Sequence, residues 1–284
     1  MTESVKKIKL DGNDSCNLYN NHDKLEFLSN NSQSLKTGQY SNKQYLMSIV
    51  IPVYNTQNYI EKCFLSILNQ SIFDRIEIIF VDDCSDDESM DKLIELKNKY
   101  ENVKVLSTDK NSLFGGRPRN IGFEHVTSDY VLFFDSDDTL MENVCELLLN
   151  TIVEHDADIV FGTHLNKTFS KQDNEKYEIK NQIIPELCKY YEESEELVIN
   201  DIRDYPFILK CYSVSNKLFN VNFIKENHIT FPEYIPAEDS YFYLRQWLIL
   251  KKQYLYQSVY LNIILQEIKI MTGQYHLDQI MQQE

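Results

Sequence analysis

The residues most able to do chemistry stand together in YVLFFDSDDTL (130–140), where a short apolar run delivers Asp135, Asp137 and Asp138. An aromatic and β-branched run of this length suits a strand buried on both faces, with the charges emerging at its carboxyl end. Two carboxylates about 4 Å apart at an effective dielectric of about 20 repel by roughly 4 kcal/mol, so crowding three of them calls for a cation. Oxygen-only ligands suit Mg2+ or Mn2+. The structural alternative makes two of the three N-cap and first-turn residues of a helix after Thr139.

Three further stretches carry candidate groups. In VDDCSDDE (81–88), Asp82 and Asp83 stand at a strand end as ligand contacts, while Asp86, Asp87 and Glu88 fall in the first turn of a helix and complement its dipole. NSLFGGRPRNIG (111–122) gathers two of the chain's seven glycines and two of its five arginines within 115–119. Gly115 and Gly116 permit positive φ and close backbone approach, and Pro118 suits a first helical position. A helix N-terminus flanked by Arg117 and Arg119 favours a diphosphate, the alternative being a plain turn with solvated arginines. No GK[ST] follows, so this is not a Walker loop. Glu238 and Asp239 follow Pro236 at a helix start, either as caps or, because an aspartate of pKa about 3.9 is ionised at neutral pH, as a base. The six histidines form no HxH or HExxH pattern, and His276 is a weak ligand candidate.

These groups need a scaffold. Strand-like runs at 47–54, 75–83, 102–106, 130–134 and 157–161 alternate with helical segments. Ile60, Cys63, Phe64, Ile67 and Leu68 mark one helix; a Ser85/Glu88 capping box opens a second, with Met90, Leu93, Ile94 and Tyr100 on one face. A short helix follows over 118–126 and another over 143–153. The alternation predicts right-handed βαβ crossovers, hence an α/β, Rossmann-like fold with a mostly parallel twisted sheet flanked by helices. Tyr54 and Asn55, Asp82 and Asp83, and Asp135 and Asp137 should then converge beyond the carboxyl ends of the strands. Residues 163–211 lose the rhythm; 215–250 regain it, with a short helix around Phe223, an extended piece at 229–232 and a helix opening near Glu238. Residues 255–265 read as a strand, and 1–46, rich in Asn, Ser, Lys and Asp, as a mobile tail or appendage.

Bulk composition narrows the function. The chain has 284 residues, 43% of them hydrophobic, enough to fill a substantial core. With 44 acidic against 28 basic side chains, the net charge of −16 argues against nucleic acid as a partner and against adhesion to anionic lipid through a basic face. Six cysteines, at 16, 63, 84, 145, 188 and 211, form no CxxC pair and suit reduced thiols. No run approaches a membrane span and no apolar signal core opens the chain. The expectation is a cytoplasmic protein, with docking at the inner face of the membrane and homo-oligomer formation left open.

Assembled in order, SIVIPVYNTQNYIEKCFLSILNQ, IEIIFVDDCSDDES, GGRPRNIG, YVLFFDSDDTL and the later SNKLF, FIKEN, FPE and EDSYF resemble the family-2 glycosyltransferases across about 47–250. The resemblance implies a glycosyltransferase-A fold over 47–284, with a nucleotide-sugar-binding half at 47–162 and an acceptor-binding half at 163–284. It implies a nucleotide-sugar donor, usually a UDP-sugar, a divalent metal, and transfer with inversion to a glycan, polymer or lipid-linked acceptor. By position, Pro52, Tyr54 and Asn55 would line the nucleoside pocket and Asp82 would face the base, with Asp83 beside it. Gly116, Arg117, Arg119, Asn120 and Ser136 would line the donor site, Arg119 approaching the diphosphate. Asp135 and Asp137 would be the DxD pair, Asp137 the firmer metal ligand. Asp239 would be the base, with Glu238 next to it. The arginine loop is similar to that of transferases acting on teichoic acids and other surface polymers. Two departures stand out: Cys84 replaces a common glycine, and the chain's end lacks the usual Arg and Ser/Thr pattern.

Two other readings use the same residues. FFDSDDTL resembles motif I of haloacid-dehalogenase-type phosphatases, with Asp135 as nucleophile, although four elements precede it and Asp138 replaces the usual glycine. A non-catalytic nucleotide-binding subunit with the fold intact is the third.

Overall fold

The computed structural model describes residues 40, 43–167, 196–199, 212–254 and 263–273, which belong to one compact unit. Strands β1 (Met47–Val53), β2 (Ile76–Asp82), β3 (Val103–Ser107) and β4 (Tyr130–Phe133) are mutually parallel in the order β3-β2-β1-β4. The connections between them carry α1 (Ile60–Leu68), α2 (Ser89–Lys99) and α3 (Gly116–Glu124). After a two-residue strand β5 (Thr139–Leu140) come α4 (Val144–Glu154), β6 (Ile159–Lys167) and β7 (Glu196–Ile199). Then follow β8 (Lys217–Asn220), α5 (Val221–Glu226), α6 (Glu238–Tyr254) and β9 (Ile263–Gly273). β8 inserts antiparallel between β4 and β6, and β9 and β5 complete the row with β7 on β9.

The expected α/β architecture with its parallel half is therefore present, and β8 turns the sheet mixed. β5 and β8 went unread as strands because each is too short to show a period. The strand expected over 255–265 lies largely outside the described residues, as does nearly all of the tail over 1–46. Lys43–Leu46 dock onto the domain: the Leu46 N–H donates to the Arg75 carbonyl at 2.8 Å, and Lys43 pairs with Asp129 at 2.6 Å.

Strand alternation sorts side chains onto two faces. Met47, Ile49, Ile51 and Val53 of β1 pack with the buried sides of α1, α2 and α4; Val50, with Val131 and Phe133 of β4, packs with α3, α5 and α6. The helix after β2 starts later than expected. Ser85 Oγ accepts from the Asn55 N–H at 3.0 Å instead of capping, the helix opens at Ser89, and Ile94 is 44% exposed rather than facing the core.

At the amino end of β2, away from the chemistry, Glu77 is fully buried. It accepts from Ser48 Oγ at 2.5 Å, Lys104 Nζ at 2.5 Å, and the N–H and Oγ1 of Thr127 at 3.0 and 2.9 Å. Burial pushes this carboxyl up, but the bonds from Lys104, Ser48 and Thr127 outweigh it and hold the group below its ordinary value. Removing the acceptor with Glu77→Ala should cost about 1 to 3 kcal/mol in urea denaturation, because the Thr127 N–H and hydroxyl lose their partner, while Ser48 keeps Ser128 and Lys104 reaches solvent. The depressed pKa stabilises the fold fully above the ordinary 4.5 and fades as pH falls through the folded value. The stability gap between wild type and Glu77→Gln should accordingly narrow between about pH 7 and about pH 3.

Candidate active site

Register places the polar strand ends side by side: Val53 pairs with Asp82, and Val50 with Phe133. With strands about 4.8 Å apart, the ends of β2 and β4 are roughly 10 Å apart across β1. The strand order also turns at β1, with β2 on one side and β4 on the other, so this is the switch-point crevice of an open α/β sheet.

On the β2 side the two aspartates divide their roles. Asp82 is 3% exposed; one carboxylate oxygen accepts from the Ser85 N–H at 3.1 Å, and the other is buried without a hydrogen-bond partner. Asp83 is consumed by the fold: it accepts from Thr108 Oγ1 at 2.8 Å, the Ser112 N–H at 2.8 Å and Ser112 Oγ at 2.7 Å, tethering the loop that leads to Gly115. Asn55, at φ 52°, is likewise structural, its side-chain oxygen accepting from the Asp86 N–H at 2.9 Å. Asp87 bridges the Gln57 and Ser89 N–H groups, so Asp86, Asp87 and Glu88 tie two loops together ahead of α2 rather than sitting in its first turn. Pro52 is half-buried and Tyr54 is 49% exposed beside the crevice. Cys84 holds φ 63°, the left-handed geometry for which glycine is the unstrained choice.

The arginine loop differs most from expectation. Gly115 has φ −71°, α3 begins at Gly116, and Pro118 is its third residue, so the glycines are present for proximity and not for positive φ. A Cβ on Gly115 would lie 2.3 Å from Arg119 Nη1, and one on Gly116 would lie 2.2 Å from the Pro232 carbonyl oxygen. Asn120 is spent on the same segment, donating to the Phe231 carbonyl at 2.9 Å and accepting from the Phe231 N–H at 2.9 Å. Arg117 pairs with Asp109 and lies 4.0 Å from Glu233.

Arg119 is 4% exposed and already surrounded by anions. Nη2 meets Asp135 at 2.6 Å, and Nη1 meets Glu238 at 2.7 Å and Asp239 at 3.1 Å. Burial alone would lower the pKa of the guanidinium, but Asp239, Asp135 and Glu238 more than offset it and raise it. Glu238 also accepts from the Gly115 N–H at 3.0 Å. In this structure the anion at the N-terminus of α3, where a diphosphate was expected, is the protein's own Glu238 carboxylate.

Asp239 sits at the start of α6 with its side chain 22% exposed. Burial, then the Asp135 and Glu238 charges, push its pKa up to about 6, against the lowering pull of Arg119 and a hydrogen bond from the Val214 N–H. At neutral pH it is ionised yet basic enough to take a proton.

Beyond β4, the Asp138 N–H donates to the Asp135 carbonyl at 3.1 Å, closing a turn in which Ser136 and Asp138 are buried and Asp137 is half-buried. No helix follows Thr139 directly; α4 begins at Val144 after Asn143, so the capping alternative for these aspartates fails. Among the described residues no group of three or more His, Cys, Asp or Glu side chains could hold a metal by itself. Two carboxylates completed by substrate phosphates and water are nevertheless a set that magnesium accepts. His276 lies outside the described residues.

The carboxylate ring around Arg119 is not legible in the sequence because 119 residue positions separate Arg119 from Glu238. The available signal was a glycine pair beside an arginine in a chain so rich in acids.

Comparison with known proteins agrees with this geometry. Residues 48–220 match the family described as Glycosyl transferase family 2. The chain is 35% identical over 208 residues to the poly(ribitol-phosphate) beta-glucosyltransferase of Bacillus spizizenii, covering 72% of this chain and 30% of that protein. It is 27% identical over 204 residues to the poly(ribitol-phosphate) beta-N-acetylglucosaminyltransferase TarS of Staphylococcus aureus, covering 71% and 32%. The crystal structure of S. aureus TarS 1–349 in complex with UDP-GlcNAc superposes with a TM-score of 0.64 at 21% identity, covering 83% of this chain and 60% of that one, and so shares the fold. The chain spans about a third of the length of these two curated relatives. With the family match running through β1, the crevice and β8, the chain belongs to glycosyltransferase family 2 and has the glycosyltransferase-A fold.

Proposed function

We propose that the chain transfers a hexosyl or N-acetylhexosaminyl group from a nucleotide-sugar, a UDP-sugar by preference, to a hydroxyl of a cell-surface glycan or polymer precursor, with inversion. The observation that carries this reading is Asp239: a carboxylate 3.1 Å from Arg119 Nη1, on the same guanidinium that meets Asp135 at the end of β4 at 2.6 Å, with burial pushing its pKa up to about 6. The names of the relatives, which act on poly(ribitol-phosphate), support a polyol-phosphate polymer as the acceptor. The same family match displaces the phosphatase reading of Asp135.

In the reaction, Asp239 accepts the acceptor's hydroxyl proton as that oxygen attacks the anomeric carbon and the nucleoside diphosphate departs from the opposite face. Arg119 keeps Asp239 ionised and aimed, and Glu238 fixes Arg119 to the start of α3. Asp82, through its unmatched oxygen, would accept an N–H from the base of the nucleotide. Asp137 and the free edge of Asp135 would hold Mn2+ or Mg2+ together with donor phosphates. When bound, such an ion would neutralise charge on the leaving diphosphate.

Replacing the base separates binding from chemistry: Asp239→Asn should keep UDP affinity by calorimetry while turnover falls roughly 10²- to 10⁴-fold. Unchanged turnover would place the base elsewhere, and UDP binding without turnover in wild type on any acceptor would favour a non-catalytic subunit. Because the ionised form is the active one, kcat should rise with pH through an apparent pKa of about 6 and level off above it. Asp137→Asn should abolish any gain in UDP affinity on adding manganese; equal affinity with and without manganese in wild type would count against the metal ligands.

A further inference from the structure

The turn that presents Asp137 is held at both ends, and α1 contributes to each. At the near end Asp135 meets Arg119 Nη2 at 2.6 Å, and its carbonyl lies 3.8 Å from the buried Cys63 Sγ of α1. At the far end the Leu140 N–H donates to Ser66 Oγ at 3.0 Å, and that hydroxyl donates to the Cys63 carbonyl at 2.6 Å. Gln70, 4% exposed just beyond the end of α1, completes the far attachment. Its Nε2 donates to the Met141 carbonyl at 2.8 Å and to the Ser66 carbonyl at 3.0 Å, while its Oε1 accepts from the Cys145 N–H at 3.0 Å.

The Cys145 bond answers a local deficit. The first N–H groups of a helix have no partner within it and need an acceptor from outside. Asn143, the residue before α4, sits at φ 61° and, among the described residues, makes no side-chain cap bond. Gln70 therefore caps α4 from another element. β5 is two residues long and offers β9 only a two-residue ladder, so the attachment to α1 carries much of the placement. Asp137 stands three residues before Leu140, and a chain reaching at most about 3.6 Å per residue keeps it within about 11 Å of that attachment.

We infer that Gln70 and Ser66 are positioning residues for the transfer reaction: by fastening the segment 140–145 to α1 they set where Asp137 stands relative to Asp135. The inference rests on the reading that Asp137 and Asp135 hold a cation together with donor phosphates. Without Gln70 the Met141 carbonyl and the Cys145 N–H lose their tie to α1 while Arg119 still holds Asp135, so the carboxylate pair loosens on one side only. Outer supports of this kind matter because ion coordination tolerates little misplacement.

Calorimetry of UDP binding to the full chain, with and without manganese, tests this. In Gln70→Met, which keeps length and removes all three bonds, UDP affinity without manganese should stay at the wild-type level, and the gain on adding manganese should fall about tenfold or be lost. Ser71→Ala separates positioning from a purely structural tie, because Ser71 Oγ also joins the end of α1 to α4, through Glu146 Oε2 at 2.6 Å. Its manganese gain should match wild type, and a fall equal to that of Gln70→Met would overturn a role specific to the turn. A gain lost in Asp137→Asn but intact in folded Gln70→Met overturns the inference and leaves the metal ligands standing. No gain in wild type overturns the metal ligands, and the inference falls with them. Should Gln70→Met not fold, Ser66→Ala decides, since it removes the acceptor of the Leu140 N–H: a reduced gain supports the proposal and an unchanged gain overturns it.

Discussion

The site depends on one buried guanidinium shared by three carboxylates. Arg119 comes from α3, Asp135 from the end of β4, and Glu238 and Asp239 from the start of α6. None of these groups is tolerable alone in that place: the arginine would be an unpaired buried ion, and the carboxylates would repel one another. Satisfying all four at once fixes where three separate elements stand. It also sets the chemistry, because Asp239 is drawn up by burial and its acidic neighbours and down by Arg119, and settles near the range useful to a base.

Around this ring, much of the polar surplus of the chain is scaffold. Asp83 anchors the loop ahead of α3, Asp87 and Asn55 knit the loops after β1 and β2, and Asn120 clips Phe231 to α3. Phe231 in turn stacks on Phe242 of α6 at 3.8 Å between ring centres and lies under Arg119. Aromatic packing and ion pairing therefore press α6 toward α3 from the same side of the sheet. That leaves Asp82, with its unmatched oxygen, as a crevice group the fold does not fully consume.

Among the described residues, no helix is long and apolar enough to cross a membrane. With a net charge of −16, positive charge near the crevice is a local matter, confined to Arg119 inside its carboxylate ring and Arg117 beside Asp109.

The sequence by itself determined the parallel half of the sheet, the helices between its strands and the crevice at their carboxyl ends. Periodicity is a local property, and β1, β2 and β4 each declare it within a handful of residues. It also carried the family, through motifs held in order from Ser48 to Asn220. Only the tertiary structure decided the partners. Whether Arg119 meets a diphosphate or the protein's own Glu238, whether Asp83 binds a ligand or Ser112, and whether Lys217 lies in water or between two rings depend on contacts between residues far apart in the chain. A charged side chain looks the same in the sequence in either case, because its role is set by which opposite charge or donor the fold brings within reach.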